Sequence, residues 1–187
     1  MTIASAKMNA RQFLMLGEDP PGTRLELVQG DIVVSPTPSF DHSYADTALR
    51  SLLYAHITEN DLGEIVGDVD TIFDDFNVLR PDIIYISKNR IKLLDTTKHG
   101  IRFAPDLCVE ILSPRSVEND EDFKFDFYAE KRVPHYWIVD PKARTFRAFK
   151  LGKKSYALVA PGKNKDIVSA PPFPSLSIPL AKLWRSR

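Results

Sequence analysis

A chain of 187 residues, 43% hydrophobic and 27% charged, is long enough to bury one core, so a single domain over 1–187 is expected. Its 25 basic residues are matched by 25 acidic ones, which argues against a protein that coats nucleic acid but leaves room for an enzyme with a local basic rim. No run approaches the about 18 apolar residues of a membrane span. The lone cysteine, Cys108, excludes an internal disulfide and suits a reducing cytoplasm, the expected location.

The N-terminal stretch MTIASAKMNARQFLML has only a short apolar run after Arg11, so residues 8–16 read as a first helix rather than a leader. Gly17 and the turn DPPG end it. RLELVQG and DIVVSP read as a hairpin over 24–34, turning at Gln29-Gly30. In SFDHSYADTALRSLLYAHITEN the residues Ala45, Ala48, Leu49, Leu52, Leu53 and Ile57 keep a helical period, with Ser39 or Asp41 as the cap. Strands follow at GEIVGDV, DTIF and DIIYIS. Residues 88–104 read as irregular or partly helical. They carry Lys88, Arg90, Lys92, Lys98 and Arg102, a run that suits either a solvated loop or contacts to phosphates. LCVEILS is a strand, 119–132 a second long helix, and HYWIVDP another strand. RTFRAFKL and KSYALVA form a terminal hairpin. The tail FPSLSIPLAKLW is expected to fold back on Leu180 and Trp184. This alternation suggests an α/β fold with a mixed central sheet.

Glu110 is the anomaly. It sits inside an apolar strand, where an unpaired carboxylate costs several kcal/mol, roughly. Strand alternation puts Glu110 on one face with Cys108 and Leu112, and Asp82 on one face with Ile84 and Ile86. If the two strands are neighbours, both acids can enter one pocket, where they would repel unless something relieves them. A divalent cation such as Mg²⁺ is one solution. A salt bridge from Arg80 or Arg102 is another, and a protonated, hydrogen-bonded Glu110 a third.

Other groups could join them. Lys124 lies on the following helix, one turn from Tyr128 and beside the apolar Phe123 and Phe127. It reads either as a snorkelling surface lysine or as a group that orients a water or steadies phosphate charge. His42 faces the core side of its helix, as a buried histidine or a site residue. Glu26, between Leu25 and Leu27, reads as solvent-facing or as a further acid of the pocket. A carboxylate-pair glycosidase is disfavoured, because few aromatics flank the acids.

RLELVQGDIVVSPTPSFDHS, LRPDIIYI, PDLCVEILSPRS, KFDFYAEKRVPHYWIVDP and FPSLSIPLAKLW, in this order, resemble the Uma-two family of the PD-(D/E)XK nuclease superfamily. The resemblance extends from about residue 10 to the C-terminus. It implies a restriction-endonuclease-like fold, a central mixed β-sheet flanked by helices, and a Mg²⁺- or Mn²⁺-dependent endonuclease acting on DNA, most simply duplex, with a homodimer as one arrangement. Asp82 matches the acid of the Pro-Asp motif and Glu110 the second acid, both as metal ligands. Glu26 matches an upstream glutamate that holds metal or water, and His42 a histidine near the site. One departure stands out. The superfamily lysine two residues after the second acid is Leu112 here, and its role would move to Lys124, with Tyr128 supporting Lys124 or touching a phosphate. The rivals to catalysis are a non-catalytic nucleic-acid-binding protein on the same fold and an interaction protein whose buried acids form salt bridges.

Overall fold

The computed structural model describes residues 7–113 and 118–185; the N-terminal stretch before Lys7 lies outside them. The first helix is shorter than its sequence suggests. α1 spans Ala10–Leu14, its start fixed by a capping box between Asn9 and Gln12. The hairpin forms as expected, from β1 (Thr23–Val28) and β2 (Asp31–Pro36). Gln29 and Gly30 turn it with φ of 51° and 79°, values that a two-residue turn between twisted strands requires. β4 (Thr71–Asp74) and β5 (Asn77–Leu79) complete a four-stranded sheet in the order β2-β1-β5-β4. The short β5 had no distinct sequence signal.

The larger sheet has six strands. β3 (Gly63–Val66), β6 (Ile83–Ser87), β7 (Leu107–Ile111), β8 (His135–Asp140), β9 (Thr145–Leu151) and β10 (Tyr156–Lys163) run in the order β10-β9-β8-β7-β6-β3. β7 and β8 are parallel, with Val109 opposite Trp137, and the other neighbours are antiparallel. A parallel pair needs a crossover, and α3 (Glu118–Glu130) lies between these two strands in sequence. The sheet is therefore mixed, as the alternation of elements implied.

Strand periodicity assigns the two faces. Odd-numbered Ile83, Tyr85, Val109 and Ile111 pack with Leu49, Leu53 and Ile57 of α2 (Phe40–Glu59). Even-numbered Ile84, Ile86 and Cys108 pack with Phe127 and Tyr128 of α3. Each helix thus covers one face of the sheet. The C-terminal segment folds back, and it does so partly as strands: β11 (Ile167–Ala170) and β12 (Phe173–Pro179) pair with each other. Leu180 and Trp184 are buried as the expected anchors, and the Trp137 indole donates to the Pro171 carbonyl at 2.9 Å.

Residues 88–104 begin with a 3-10 turn over Lys88–Leu93. Its basic groups are largely engaged. Arg90 binds Asp106 at 2.9 Å and stacks over Phe103, Lys98 pairs with Asp95, and Lys88 with Asp61. The turn follows the far end of β6 from Asp82, so this basic run stands away from the acids.

No helix among the described residues is long and apolar enough to cross a membrane.

Candidate active site

The acids meet where the two sheets approach each other. Glu26 comes from β1, Asp82 immediately precedes β6, and Glu110 comes from β7. β6 and β7 are antiparallel neighbours with Ile83 opposite Val109, so the start of one strand lies beside the end of the other. Strand pairing alone therefore carries Asp82 to Glu110. The Ile111 amide, next to Glu110, donates to Asp82 Oδ2 at 2.7 Å. The helices supply the remainder: His42 from the first turn of α2, and Lys124 and Tyr128 one turn apart on α3.

All six residues expected at the site come together, and each contributes a buried side chain. Glu26 is 5% exposed, His42 6%, Asp82 4%, Glu110 7% and Lys124 7%, while Tyr128 is fully buried. The solvent-facing reading of Glu26 is thus wrong. Alternation gave it a face, but only the second sheet covers that face. The surface reading of Lys124 fails for a similar reason, since its amine is drawn inward between two carboxylates. Lys124 Nζ lies 3.2 Å from Glu110 Oε2 and 3.3 Å from Glu26 Oε2.

Each acid has its own shell. Asp82 accepts from Arg24 Nη1 at 3.0 Å and lies 3.2 Å from His42 Nε2. Glu110 Oε1 accepts from the Tyr128 hydroxyl at 2.7 Å. Glu26 Oε1 accepts from the Arg80 amide at 2.7 Å. The arginine salt bridges considered for Glu110 do not form: the Arg80 side chain turns to Asp19 and Asp70, and Arg102 is exposed.

Two residues of this shell had gone unnoticed. Arg24 shares a strand face with Glu26, two positions away, so period-two alternation could have found it. Arg50, on α2, donates to the backbone carbonyl of Asp82 at 3.0 Å and to Asp46 at 2.8 Å. Only the docking of α2 places it there.

The environments drive the two central acids apart, a feature of acid–base sites. Burial pushes the Asp82 carboxyl up, but the hydrogen bond and charge of His42, the charge of Arg24 and the Ile111 amide outweigh it, and its pKa falls to about 2. Burial also pushes Glu110 up. Lys124 and the Tyr128 hydroxyl offset part of this, while Asp82 and Glu26 add repulsion, and its pKa reaches about 7. Burial pulls the His42 imidazole down, yet the hydrogen bond to Asp82 and the charges of Asp82 and Asp46 raise it overall. Three carboxylates thus face Arg24, Lys124 and the His42 imidazole, and burial leaves Glu110 the acid whose charged form is least favoured.

The donor set fits a hard divalent cation. Carboxylate oxygens converge on a cleft of about 90 Å³ lined by Arg24, Glu26, His42, Asp82, Glu110 and Lys124, among others. Added positive charge there would relieve Glu110. Among the described residues no group of three His, Cys, Asp or Glu side chains is placed to hold a metal ion. Mg²⁺ does not need one, because it is usually held by one or two carboxylates with water and substrate phosphates completing the shell.

Comparison with known proteins agrees with this architecture. A solved structure from Anabaena variabilis ATCC 29413, described as "a putative nuclease belonging to DUF820", superposes with a TM-score of 0.78. It is 21% identical and covers 94% of this chain and 97% of its own, a likeness of fold. "Uncharacterized protein sll1609" of Synechocystis sp. is 23% identical over 171 residues, 89% of this chain and 96% of that protein. The family model Uma2, "Putative restriction endonuclease", matches residues 10–181, a span that holds both sheets, both long helices and every acid of the cleft, and the chain belongs to that family.

Proposed function

We propose that the protein is a metal-dependent endonuclease that hydrolyses phosphodiester bonds of duplex DNA. The observation that carries this reading is the Lys124 amine, held within 3.3 Å of both Glu110 and Glu26 beside Asp82, in a cleft where burial disfavours the charged form of Glu110. Family membership and the nuclease fold of the Anabaena structure support it.

Asp82 and Glu110 would hold Mg²⁺ or Mn²⁺, with Glu26 as a third ligand or as a partner of a coordinated water. When bound, such an ion polarises a phosphoryl oxygen and lowers the pKa of its water. Lys124 then leaves Glu110 Oε2 to donate from Nζ to the attacking water or to the charge developing on the phosphate. Tyr128 keeps its hydroxyl on Glu110 Oε1 and fixes the rotamer of that carboxylate. His42 and Arg24 do the same for Asp82. The Asp82 carboxylate stays ionised throughout, since its pKa is about 2.

One observation favours a second reading. Every acid of the cleft already has a protein partner, as expected of a binding protein that retains the fold without turnover. Calorimetric titration with Mn²⁺, followed by nicking of supercoiled plasmid, separates the two. The wild type is expected to bind Mn²⁺ and nick in its presence. Asp82→Ala and Glu110→Ala should lose binding, and Lys124→Ala should keep binding but lose nicking. Nicking that survives Lys124→Ala would remove the role given to the lysine, and metal binding that survives both acid variants would remove the metal site.

A further inference from the structure

Resting on the nuclease reading, we infer that the groove beside the cleft, between the β8–β9 turn and the C-terminal segment, seats the duplex backbone flanking the scissile phosphate. This groove, about 270 Å³, is lined by Lys142, Arg144 and Arg185, and it shares His42 and Leu112 with the acidic cleft. A strand lying along it therefore runs directly to the acids.

Three observations favour a polyanion as occupant. First, the protein has no net charge, so a local excess of cations is a segregation of charge rather than a general property. The acid lining the groove, Asp41, is already paired with Arg185 at 3.0 Å. Second, Lys142 and Arg144 are exposed, and among the described residues neither has an ion-pair partner. In the basic run far from the cleft, Lys88, Arg90 and Lys98 are paired with acids, whereas Lys92 and Arg102 have no ion pair among the described residues. Third, the cations stand on a built turn. Asp140 Oδ1 accepts from the Lys142 and Ala143 amides, both at 2.8 Å, and Arg144 adopts φ of 54°. The ordering of backbone that a phosphate contact would otherwise require is already in place.

The same surface favours a duplex over a single strand. Sequence-tolerant single-strand binding uses successive aromatic faces on which bases stack. Here Trp184 is buried with its indole on the Asn164 carbonyl, while Phe40 is exposed but does not line the groove, and the Arg185 guanidinium lies 5.2 Å from its ring centre. What the groove presents outward is charge, which suits phosphates held by an intact helix.

The test measures binding rather than cleavage. Fluorescence anisotropy with a short labelled duplex of random sequence, in Ca²⁺, is compared for the wild type and for Lys142→Glu combined with Arg144→Glu. The double variant is expected to weaken binding at least tenfold, roughly, and to reduce the slope of log K against log salt by about 2, near 0.9 for each lost phosphate contact. Lys92→Glu with Lys98→Glu should bind as the wild type does. Melting curves should coincide, since the altered side chains are exposed. Wild-type affinity in the Lys142/Arg144 variant overturns the groove. So does a wild type that retains no duplex, or one from which an unlabelled single strand competes better than duplex. Asp82→Asn read in the same assay keeps the two ideas apart. If it retains duplex but loses plasmid nicking, both stand. If it still nicks, the hydrolytic assignment of Asp82 falls while the groove remains.

Discussion

Two charged clusters lie on either side of Arg80, one partly exposed and one buried, and they behave differently. On one side the Arg80 guanidinium binds Asp70 at 2.8 Å and Asp19 at 2.6 Å, and His99 closes on Asp70 at 2.8 Å. Burial pulls the Arg80 pKa down, but these hydrogen bonds and charges raise it overall, as in a matched ion pair. On the other side the Arg80 amide holds Glu26, and in the cluster of Glu26, Asp82 and Glu110 burial and the neighbouring acids raise Glu110 against the pull of Lys124 and Tyr128. The matched cluster borders the larger hollow, about 440 Å³ against about 90 Å³. Size therefore does not distinguish the site. What distinguishes it is Glu110, a buried carboxylate whose desolvation Lys124 and Tyr128 offset only in part, a cost that a further cation would relieve.

The largest effect should come from breaking the matched cluster. Arg80→Leu leaves Asp70, 8% exposed, without its guanidinium, and should lower stability in urea by about 3 kcal/mol. Mn²⁺ affinity should hold, because the amide that binds Glu26 survives the substitution. A parallel loss of metal affinity would show that the clusters act as one.

The second effect is a pH dependence with a definite sign. Glu110 has a folded pKa of about 7 against an ordinary value of 4.5, so the unfolded chain releases this proton first. The metal-free protein should lose stability as pH rises through that window, seen as a falling Tm, and Glu110→Gln should flatten the fall. Asp82 acts in the opposite sense. Its pKa drops from 3.8 to about 2, so the stability it contributes is present above 3.8 and is lost as pH falls towards 2. A Tm that climbs from pH 4.5 to 7 in the metal-free wild type would contradict the raised Glu110 pKa.

The smallest effect tests a single bond. Tyr128→Phe removes the hydroxyl from Glu110 and should cost about 1 kcal/mol, offset in part if the acid takes up a proton. Since that hydroxyl favours the charged form, Glu110 should titrate higher still, moving the upper end of the stability fall to higher pH. An unchanged pH profile would place the burden on Lys124 alone.

The residues differ in how much of their role was legible. Asp82 and Glu110 could be joined in advance, because period-two alternation and one antiparallel pairing suffice to unite them. Lys124 and Tyr128 could be placed on one helix face, but not directed inward, since a lysine beside phenylalanines suits a surface equally well. Glu26 was harder, because alternation separates its two faces without saying which is covered. Arg24 follows Glu26, because alternation puts the two on one face once that face is known to be covered. The basic groove could not be found at all: Arg185 meets Asp41 from 144 residues away, whereas the contiguous basic run at 88–104 attracted notice and lies elsewhere.

The sequence by itself determined most of the elements, the mixed α/β class, the order of the two central acids and the family, because these rest on local periodicity and on residue types at short spacing, while β5 and the C-terminal strands gave no such signal. Tertiary structure alone decided which carboxylates are buried, which cations reach them and which stay unpaired at the rim. Those outcomes follow from the approach of one sheet to another and the docking of α2, α3 and the C-terminal segment, where desolvation and charge add up over residues far apart in the chain.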